Sequence, residues 1–309
     1  MDISVVFATS RRQEILRKTL SSFCEMESDG LQWEILLVDN ADEQETKTIV
    51  EEFSQKLPLS YLVELRVGKS FALNTAIPKV MGQVCLITDD DIIADRQWLV
   101  NTWNGVQRWP NHFLFGGKIL PQYPQGLISV DVEHRLVRGA YTVADWNKEE
   151  GECKATLIYG PNTIVRSEVF HRGFLFNTDI GPNTKDYIMG QDTEFVFRLE
   201  AAGYPAVYLP DSIVHHQIRP EQLTLPWLYK RVYKSGRSFA YLSGLPQVPT
   251  LFGVPRYMYK MLLSAYFGYL GSWFSSKKVR YSKKLEYLYR KGMFYQYQKG
   301  VPKERILTY

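Results

Sequence analysis

Three consecutive aspartates, Asp89, Asp90 and Asp91, close an apolar run in the stretch LITDDDIIAD, residues 86–95. Carboxylates this close repel one another and persist only where something cationic offsets them. Their oxygens suit Mg²⁺ or Mn²⁺, and magnesium typically takes few protein ligands, leaving positions open for phosphate oxygens. An Asp-x-Asp pair ending a strand is therefore a candidate for holding a divalent cation across two phosphates. An acidic turn facing water is the alternative reading of the same three residues. Other polar groups that could serve such a site are Thr9, Arg11, Asp39, Lys69 and Asn74.

The surrounding pattern decides where these groups fall. ISVVFA (3–8), WEILLVD (33–39), SYLVEL (60–65) and QVCLIT (83–88) are short apolar runs, largely β-branched, as buried strands are. Between them RRQEILRKTLSSF, DEQETKTIVEEF and KSFALNTAIPKV carry apolar residues at helical spacing. Strand and helix in alternation predict an α/β fold with a mostly parallel sheet covered on both faces. Ligands bind such sheets beyond the carboxyl ends of the strands. Thr9-Ser10-Arg11, Asp39-Asn40 and Asp89 to Asp91 all stand at such ends. Lys69 and Arg11 are candidates for phosphate contact, with simple solvation as the alternative. Asn74 stands out as a polar residue on an otherwise apolar helix face.

Familiar nucleotide motifs do not account for the pattern. VGKS (67–70) resembles the end of a phosphate-binding P-loop, but Val63 occupies the place of its first glycine. No Gly-x-Gly-x-x-Gly follows the first strand. A haloacid-dehalogenase-like phosphatase would place Thr or Val where Ile93 stands, and a response-regulator receiver would set its aspartates in another strand order.

The ordered motifs do resemble those of family 2 glycosyltransferases of GT-A fold, most of all bacterial members that build surface polysaccharides or glycolipids. VVFATSRR is similar to the opening nucleotide-binding strand and loop, and EILLVDNADEQET to the second strand with its base-facing aspartate. GKSFALNTAI and CLITDDDII follow in the family's order. GGKILPQYP, YGPNTIVRSEVF, the long stretch from GQDTEFVF to RPEQLT, and YKRVYKSGRSFA then match the acceptor side. Two departures are visible: the opening loop lacks a Pro-x-Tyr-Asn sequence, and Gln191 replaces the first acid of the Glu-Asp-x-Glu pattern.

The resemblance implies an inverting transfer from a nucleotide sugar, dependent on Mn²⁺ or Mg²⁺. It implies Asp91 as a direct metal ligand and Asp89 as a contact to ribose, or to the metal through water. Asp90 is left to do either or to face solvent. His216, rather than His215, completes the metal site. Asp192 is the catalytic base, a role compatible with capping the helix that it opens. Asp39 accepts from a pyrimidine N3–H or else anchors a turn. Thr9, Arg11, Lys69 and Asn74 complete the nucleotide-sugar set, while Asn162 and Arg166 have folding roles as an equal alternative. A non-catalytic nucleotide-sugar-binding protein of the same fold, or a nucleotidyltransferase, is the competing reading.

Charge divides the chain. From Trp227 to Tyr309 there are 16 Lys/Arg against 2 Asp/Glu, whereas the preceding residues hold 21 against 31. The same closing segment carries 20 of the 43 aromatic residues. A catalytic domain over 1–225 (nucleotide half 1–95, acceptor half 96–225) and a helical region over 226–309 are expected. An uncharged run of 16 residues, Met261 to Ser276, is short for a bilayer span of about 20 residues. With lysines at its ends and Tyr/Leu/Phe alternating with Lys/Arg beyond it, the region reads as amphipathic helices on an anionic leaflet. A structural helical cap is the alternative, and no nucleic-acid recognition motif accompanies the basic residues. Three scattered cysteines and an N-terminus unlike a secretory signal fit a reducing compartment. Together these place the protein on the cytoplasmic face of the membrane, peripheral or monotopic, acting on a lipid-linked or membrane-proximal glycan.

Overall fold

The computed structural model describes residues 1–126, 130–181 and 187–302. Its first elements alternate as the apolar runs predict: β1 (Ile3–Thr9), α1 (Gln13–Cys24), β2 (Trp33–Asp39), α2 (Gln44–Phe53), β3 (Leu59–Val63), α3 (Lys69–Ala76) and β4 (Val84–Ile87). There follow β5 (Ile92–Ala94), α4 (Trp98–Arg108), β6 (Leu114–Gln122), α5 (Arg135–Ala140), β7 (Gly151–Cys153), β8 (Thr163–Arg166), α6 (Glu168–His171), α7 (Gln191–Ala201) and β9 (Ala206–Gln217). The chain closes with α8 (Leu225–Ser243), a small hairpin of β10 (Thr250–Leu251) and β11 (Val254–Pro255), α9 (Arg256–Gly271) and α10 (Lys277–Lys299).

The chain divides into two compact units. One comprises Met1–Gln122, Thr142–Tyr187 and Gln191–Gln217; the other comprises Tyr123–Tyr141, Ile188–Gly190 and Ile218–Tyr309. The first unit is built on one sheet of order β3-β2-β1-β4-β8-β6-β9-β5, with β7 also paired to β9. Neighbours among β3, β2, β1 and β4 run parallel. Beyond β4 the sheet turns mixed, since β8 is antiparallel to both β4 and β6, and β5 and β7 are antiparallel to β9. The expectation of a mostly parallel sheet thus holds for β1 to β4, and the complete sheet is mixed with flanking helices.

Burial follows sequence pattern. β1, β2 and β4 are covered on both faces, as their unbroken apolar runs require, and Ile3, Val5, Phe7, Ile35, Leu37, Val84 and Leu86 join one core. α1 sets Leu16, Leu20 and Phe23 against that core at helical spacing. Thr19, on the same buried face, lies with its hydroxyl 2.8 Å from the carbonyl oxygens of both Asp90 and Ile92. The aspartate turn is thereby fastened to α1 at its backbone, leaving its side chains to other partners.

In the second unit α8 and α10 cross at close range. A methyl group on Gly236 would lie 2.0 Å from the carbonyl oxygen of Tyr289, and one on Gly292 would lie 2.1 Å from that of Tyr233. Only hydrogen at both positions allows the two backbones to approach so closely. Ala240, Val254, Met258, Met293 and Tyr297 form a separate small core beside this crossing. The Met261–Ser276 run is not one continuous helix: α9 ends at Gly271 and a short 3₁₀ turn covers Ser272–Phe274. No helix among the described residues is long and apolar enough to cross a membrane.

Candidate active site

The three aspartates sit between β4 and β5 at the carboxyl end of β4, beside the end of β1, and they are not alike. Asp90 is buried and accepts from the Thr9 hydroxyl at 2.7 Å and from Arg12 Nη1 at 2.9 Å. Arg12 also donates to Asp91 Oδ2 at 3.0 Å. Burial pushes the Asp90 carboxyl up to about 6, with Arg12 pulling it down and Asp91 adding to the rise. In return Asp90, aided by Asp91, holds the Arg12 guanidinium above its already high ordinary value. The solvent-facing alternative for Asp90 does not hold, because its carboxylate is the inner anchor of the turn.

Asp89 turns to different company. Lys69 Nζ, at the first residue of α3, donates to Asp89 Oδ1 at 2.5 Å and lies 3.2 and 3.3 Å from the two oxygens of Asp192. One ammonium thus ties the turn to the carboxylate of α7, across 123 residues of sequence. Burial alone would lower the Lys69 pKa, but Asp192 and then Asp89 outweigh it and raise it. Asp192 is shifted upward, chiefly by burial and partly by Asp89, against the pull of Lys69.

Asp192 is the second residue of α7, which begins one residue earlier than the sequence suggested. It therefore lies inside the first turn, where backbone N–H groups still favour a carboxylate, rather than at the cap itself. Gln191 Nε2 donates to Asp192 Oδ2 at 3.1 Å, a bond that a glutamate at this position could make only when protonated. Gly160 allows the close approach from the other side: a Cβ there would stand 2.3 Å from Asp192 Oδ2.

His216 reaches the turn through strand register. Antiparallel pairing sets His216 against Ile92 and His215 against Ile93, and Gln217 N–H donates to the Asp91 carbonyl at 2.8 Å. Alternation sends the two histidines to opposite faces. His216 is buried, with Nε2 3.6 Å from Asp91 Oδ1 and Nδ1 3.2 Å from the Thr142 hydroxyl.

The remaining candidates have local partners. Asp39 is wholly buried and accepts from the N–H groups of Ala41 and Glu43 and from the Tyr61 hydroxyl, each at 2.9 Å. That is the geometry of a turn anchor leading into α2. Asn74 clamps Phe176, donating to its carbonyl and accepting from its N–H, both at 2.9 Å. Arg11 adopts φ +57°, its side chain is 78% exposed, and it lies 3.6 Å from Glu43. That left-handed residue turns the next one, Arg12, inward to the aspartates. Asn162 bonds the carbonyls of Lys118 and Ser212 and accepts from Trp98, while Arg166 donates to the carbonyls of His112 and Val106. Both are folding contacts. Arg12 was missed by sequence reasoning because an Arg-Arg pair in a loop has no periodicity to say which member faces inward.

The donor set suits a divalent cation. Asp89, Asp90, Asp91 and Asp192 face two cations, Arg12 and Lys69. With all four acids ionised the cluster carries two uncompensated negative charges, which one Mg²⁺ or Mn²⁺ would balance. Asp91 brings a hard carboxylate and His216 an imidazole, a pairing that Mn²⁺ accepts. Among the described residues no three His, Cys, Asp or Glu side chains are already gathered at metal-binding spacing. A cation here would draw its remaining ligands from phosphate oxygens and water, as magnesium commonly does.

Residues 4–129 match the model of glycosyl transferase family 2. The glycosyltransferase AglE of Haloferax volcanii is 26% identical over 223 residues, covering 71% of this chain and 67% of that protein. The succinoglycan biosynthesis protein ExoM of Rhizobium meliloti is 24% identical over 245 residues, covering 77% and 74%. Among solved structures, the mannosyltransferase PcManGT of Pyrobaculum calidifontis, in complex with GDP-Man and Mn²⁺, superposes with a TM-score of 0.56 at 18% identity. That match covers 77% of this chain and 61% of the mannosyltransferase. TarS of S. aureus in complex with UDP gives a TM-score of 0.52 at 16% identity, covering 90% and 73%. These structural likenesses concern fold alone, and the fold is the GT-A-like arrangement that the motif order implies.

Proposed function

We propose that this chain, whose residues 4–129 match the model of glycosyl transferase family 2, is a glycosyltransferase of that family, and that it transfers a sugar, with inversion, from a nucleoside-diphosphate sugar to a hydroxyl of a lipid-linked or membrane-proximal glycan. The observation that carries the reading is the Lys69 bridge, which joins Asp89 of the aspartate turn to Asp192 of α7. It brings a diphosphate-binding edge and a candidate base within one side chain of each other.

In this reading the acceptor hydroxyl attacks the anomeric carbon from the face opposite the diphosphate, and Asp192 accepts its proton. A single displacement with one base inverts the anomeric centre. Lys69 opposes the rise that burial imposes on the Asp192 pKa and so favours its ionised form, and Gln191 and Gly160 fix the orientation of its Oδ2. Asp89, the most exposed of the three turn acids, meets the donor. Thr9 and Arg12 act through Asp90, holding the turn rigid. Asp91 and His216 would hold Mn²⁺ or Mg²⁺, which when bound supplies Lewis-acid stabilisation of charge on the departing diphosphate. Asp39 and Asn74 support the site by fixing the loop before α2 and the position of α3, and Arg11 turns the chain so that Arg12 faces in.

The second unit supports the acceptor side of this reading. Its basic and aromatic composition, with Phe267, Trp273 and Phe274 exposed, supports peripheral attachment to an anionic leaflet, which we assign to the cytoplasmic face.

The deciding experiment incubates the purified chain with a panel of nucleotide sugars, with Mn²⁺ or with a chelator, and identifies the products. Release of nucleoside diphosphate that the chelator stops is expected. Formation of a nucleotide sugar with release of pyrophosphate, when the chain is given a nucleoside triphosphate and a sugar 1-phosphate instead, would make it a nucleotidyltransferase. Donor binding without turnover, tested with acceptor lipids present, would make it a non-catalytic binder.

A further inference from the structure

The second unit contains a groove of about 410 Å³ between α9 and α10, lined by Lys260, Ser264, Gly268, Lys283, Glu286 and Arg290 among others. That volume lies in the range of small-ligand sites. Three of these side chains are cationic and one is acidic, and the acid is already engaged: Arg135 holds both oxygens of Glu286, at 2.7 and 2.9 Å. Among the described residues no carboxylate pairs with Lys260, Lys283 or Arg290. Gly268 leaves room for the aliphatic stem of Lys283, whose Cδ would be 4.0 Å from a Cβ there. The groove is therefore a concentration of positive charge with a hydroxyl, that of Ser264, in its wall.

The rest of α9 defines what such charge would meet. At 100° per residue, Lys260 and Ser264 fall beside Leu263 and Phe267 on the helix surface. Leu263, Phe267 and Leu270 form an exposed apolar stripe, and it continues into Trp273 and Phe274, the last 96% exposed. Arg280 lies over the Trp273 ring at 5.1 Å, a cation and an aromatic presented together. Exposed apolar side chains in a row cost free energy in water and suit the boundary between headgroups and acyl chains. Aromatic and basic residues side by side match the same layer.

We propose that this groove binds the phosphate of an anionic membrane phospholipid, while the Leu263–Phe274 stripe enters the interfacial layer next to it. The site gives the membrane attachment of the proposed function a defined headgroup contact, and it rests on that reading. Lys260, Lys283 and Arg290 surround the phosphate, and Ser264 donates to it. The basic residues elsewhere in the unit contribute only diffuse attraction.

The test uses the full chain and co-sedimentation with phosphatidylcholine vesicles, with and without phosphatidylglycerol. The wild type is expected to sediment only when phosphatidylglycerol is present. The triple variant Lys260→Gln, Lys283→Gln, Arg290→Gln should bind at least about tenfold more weakly, in line with the strength of individual basic contacts to anionic lipid. A control triple of equal charge, Lys230→Gln, Lys291→Gln, Lys299→Gln, should lose no more than about threefold, since none of the three lines the groove. Phe267→Ser with Phe274→Ser should abolish the part of binding that survives high salt. If the groove triple does not fold, the single variants carry the comparison, Lys283→Gln losing about threefold and Lys230→Gln less than about 1.5-fold. Equal losses in the two triples would overturn the groove as a site and leave a diffuse membrane surface standing. Failure of the wild type to sediment would overturn the membrane reading, and this proposal with it.

Discussion

The two units handle charge in opposite ways. In the first, the acids and bases of the candidate site are drawn into each other: Arg12 between Asp90 and Asp91, Lys69 between Asp89 and Asp192, His216 against Asp91. In the second, Lys260, Lys283 and Lys277 are exposed, and large apolar side chains stand exposed around them. Burying ionised groups is costly unless each finds a partner and good hydrogen bonds. The first unit bears that cost where geometry must be held for chemistry. The second leaves these lysines in water, where they can meet a partner outside the chain. A pocket for reaction and a surface for attachment thus leave different electrostatic signatures in one sequence.

The sharpest way to break this contrast is to neutralise the acid expected to react. Asp192→Asn should lower turnover by at least about a hundredfold, within the usual range for a general base. The donor dissociation constant, read by calorimetry, should barely move. Parallel loss of binding and turnover would mean that Asp192 only braces the N-terminus of α7, and wild-type turnover would end its assignment as base.

Much of this was legible before the structure, and the exceptions share a cause. Buried strands could be read because β1, β2 and β4 are apolar on both faces, and the triple aspartate because its repulsion demands an explanation. His216 could be preferred over His215 from motif register, and pairing with β5 now accounts for its place beside Asp91. What could not be read is where a polar side chain spends its hydrogen bonds. Asp39 and Asn74 look like ligands of something, and each is engaged by backbone groups close to its own element or packed against it. Arg12 hides behind Arg11 because a left-handed turn, not a periodic pattern, aims it. The apolar run of the second unit was visible as a string, but its break into α9 and a 3₁₀ turn comes from packing that no local pattern records.

A second test addresses how the attachment unit is held together. Gly236→Ala places a methyl 2.0 Å from the Tyr289 carbonyl, so α8 and α10 must part. A loss of about 1–3 kcal/mol is expected, the usual cost of overpacking, read as a lowered midpoint of thermal or urea unfolding. Donor hydrolysis by the folded fraction should persist, because the residues assigned to it lie in the other unit. Equal loss of specific activity and stability would show that the division of labour is not real.

The smallest expected effect is also the most specific to the chemistry. Asp192 must be ionised to accept a proton, and burial holds its pKa above the ordinary aspartate value while Lys69 opposes the rise. Activity should therefore have an acid limb, falling as pH drops through that raised pKa. Lys69→Gln removes the opposing cation, so the pKa should climb further and the limb should move to higher pH. The move is read from kcat/KM against pH at saturating Mn²⁺. The direction matters more than the size. If Lys69 served only to contact the donor, its loss would raise KM and leave the limb in place. If Asp192 were a structural acid, the variant would unfold more readily with the same pH profile in its folded fraction. Only a base held ionised by its lysine moves the limb upward.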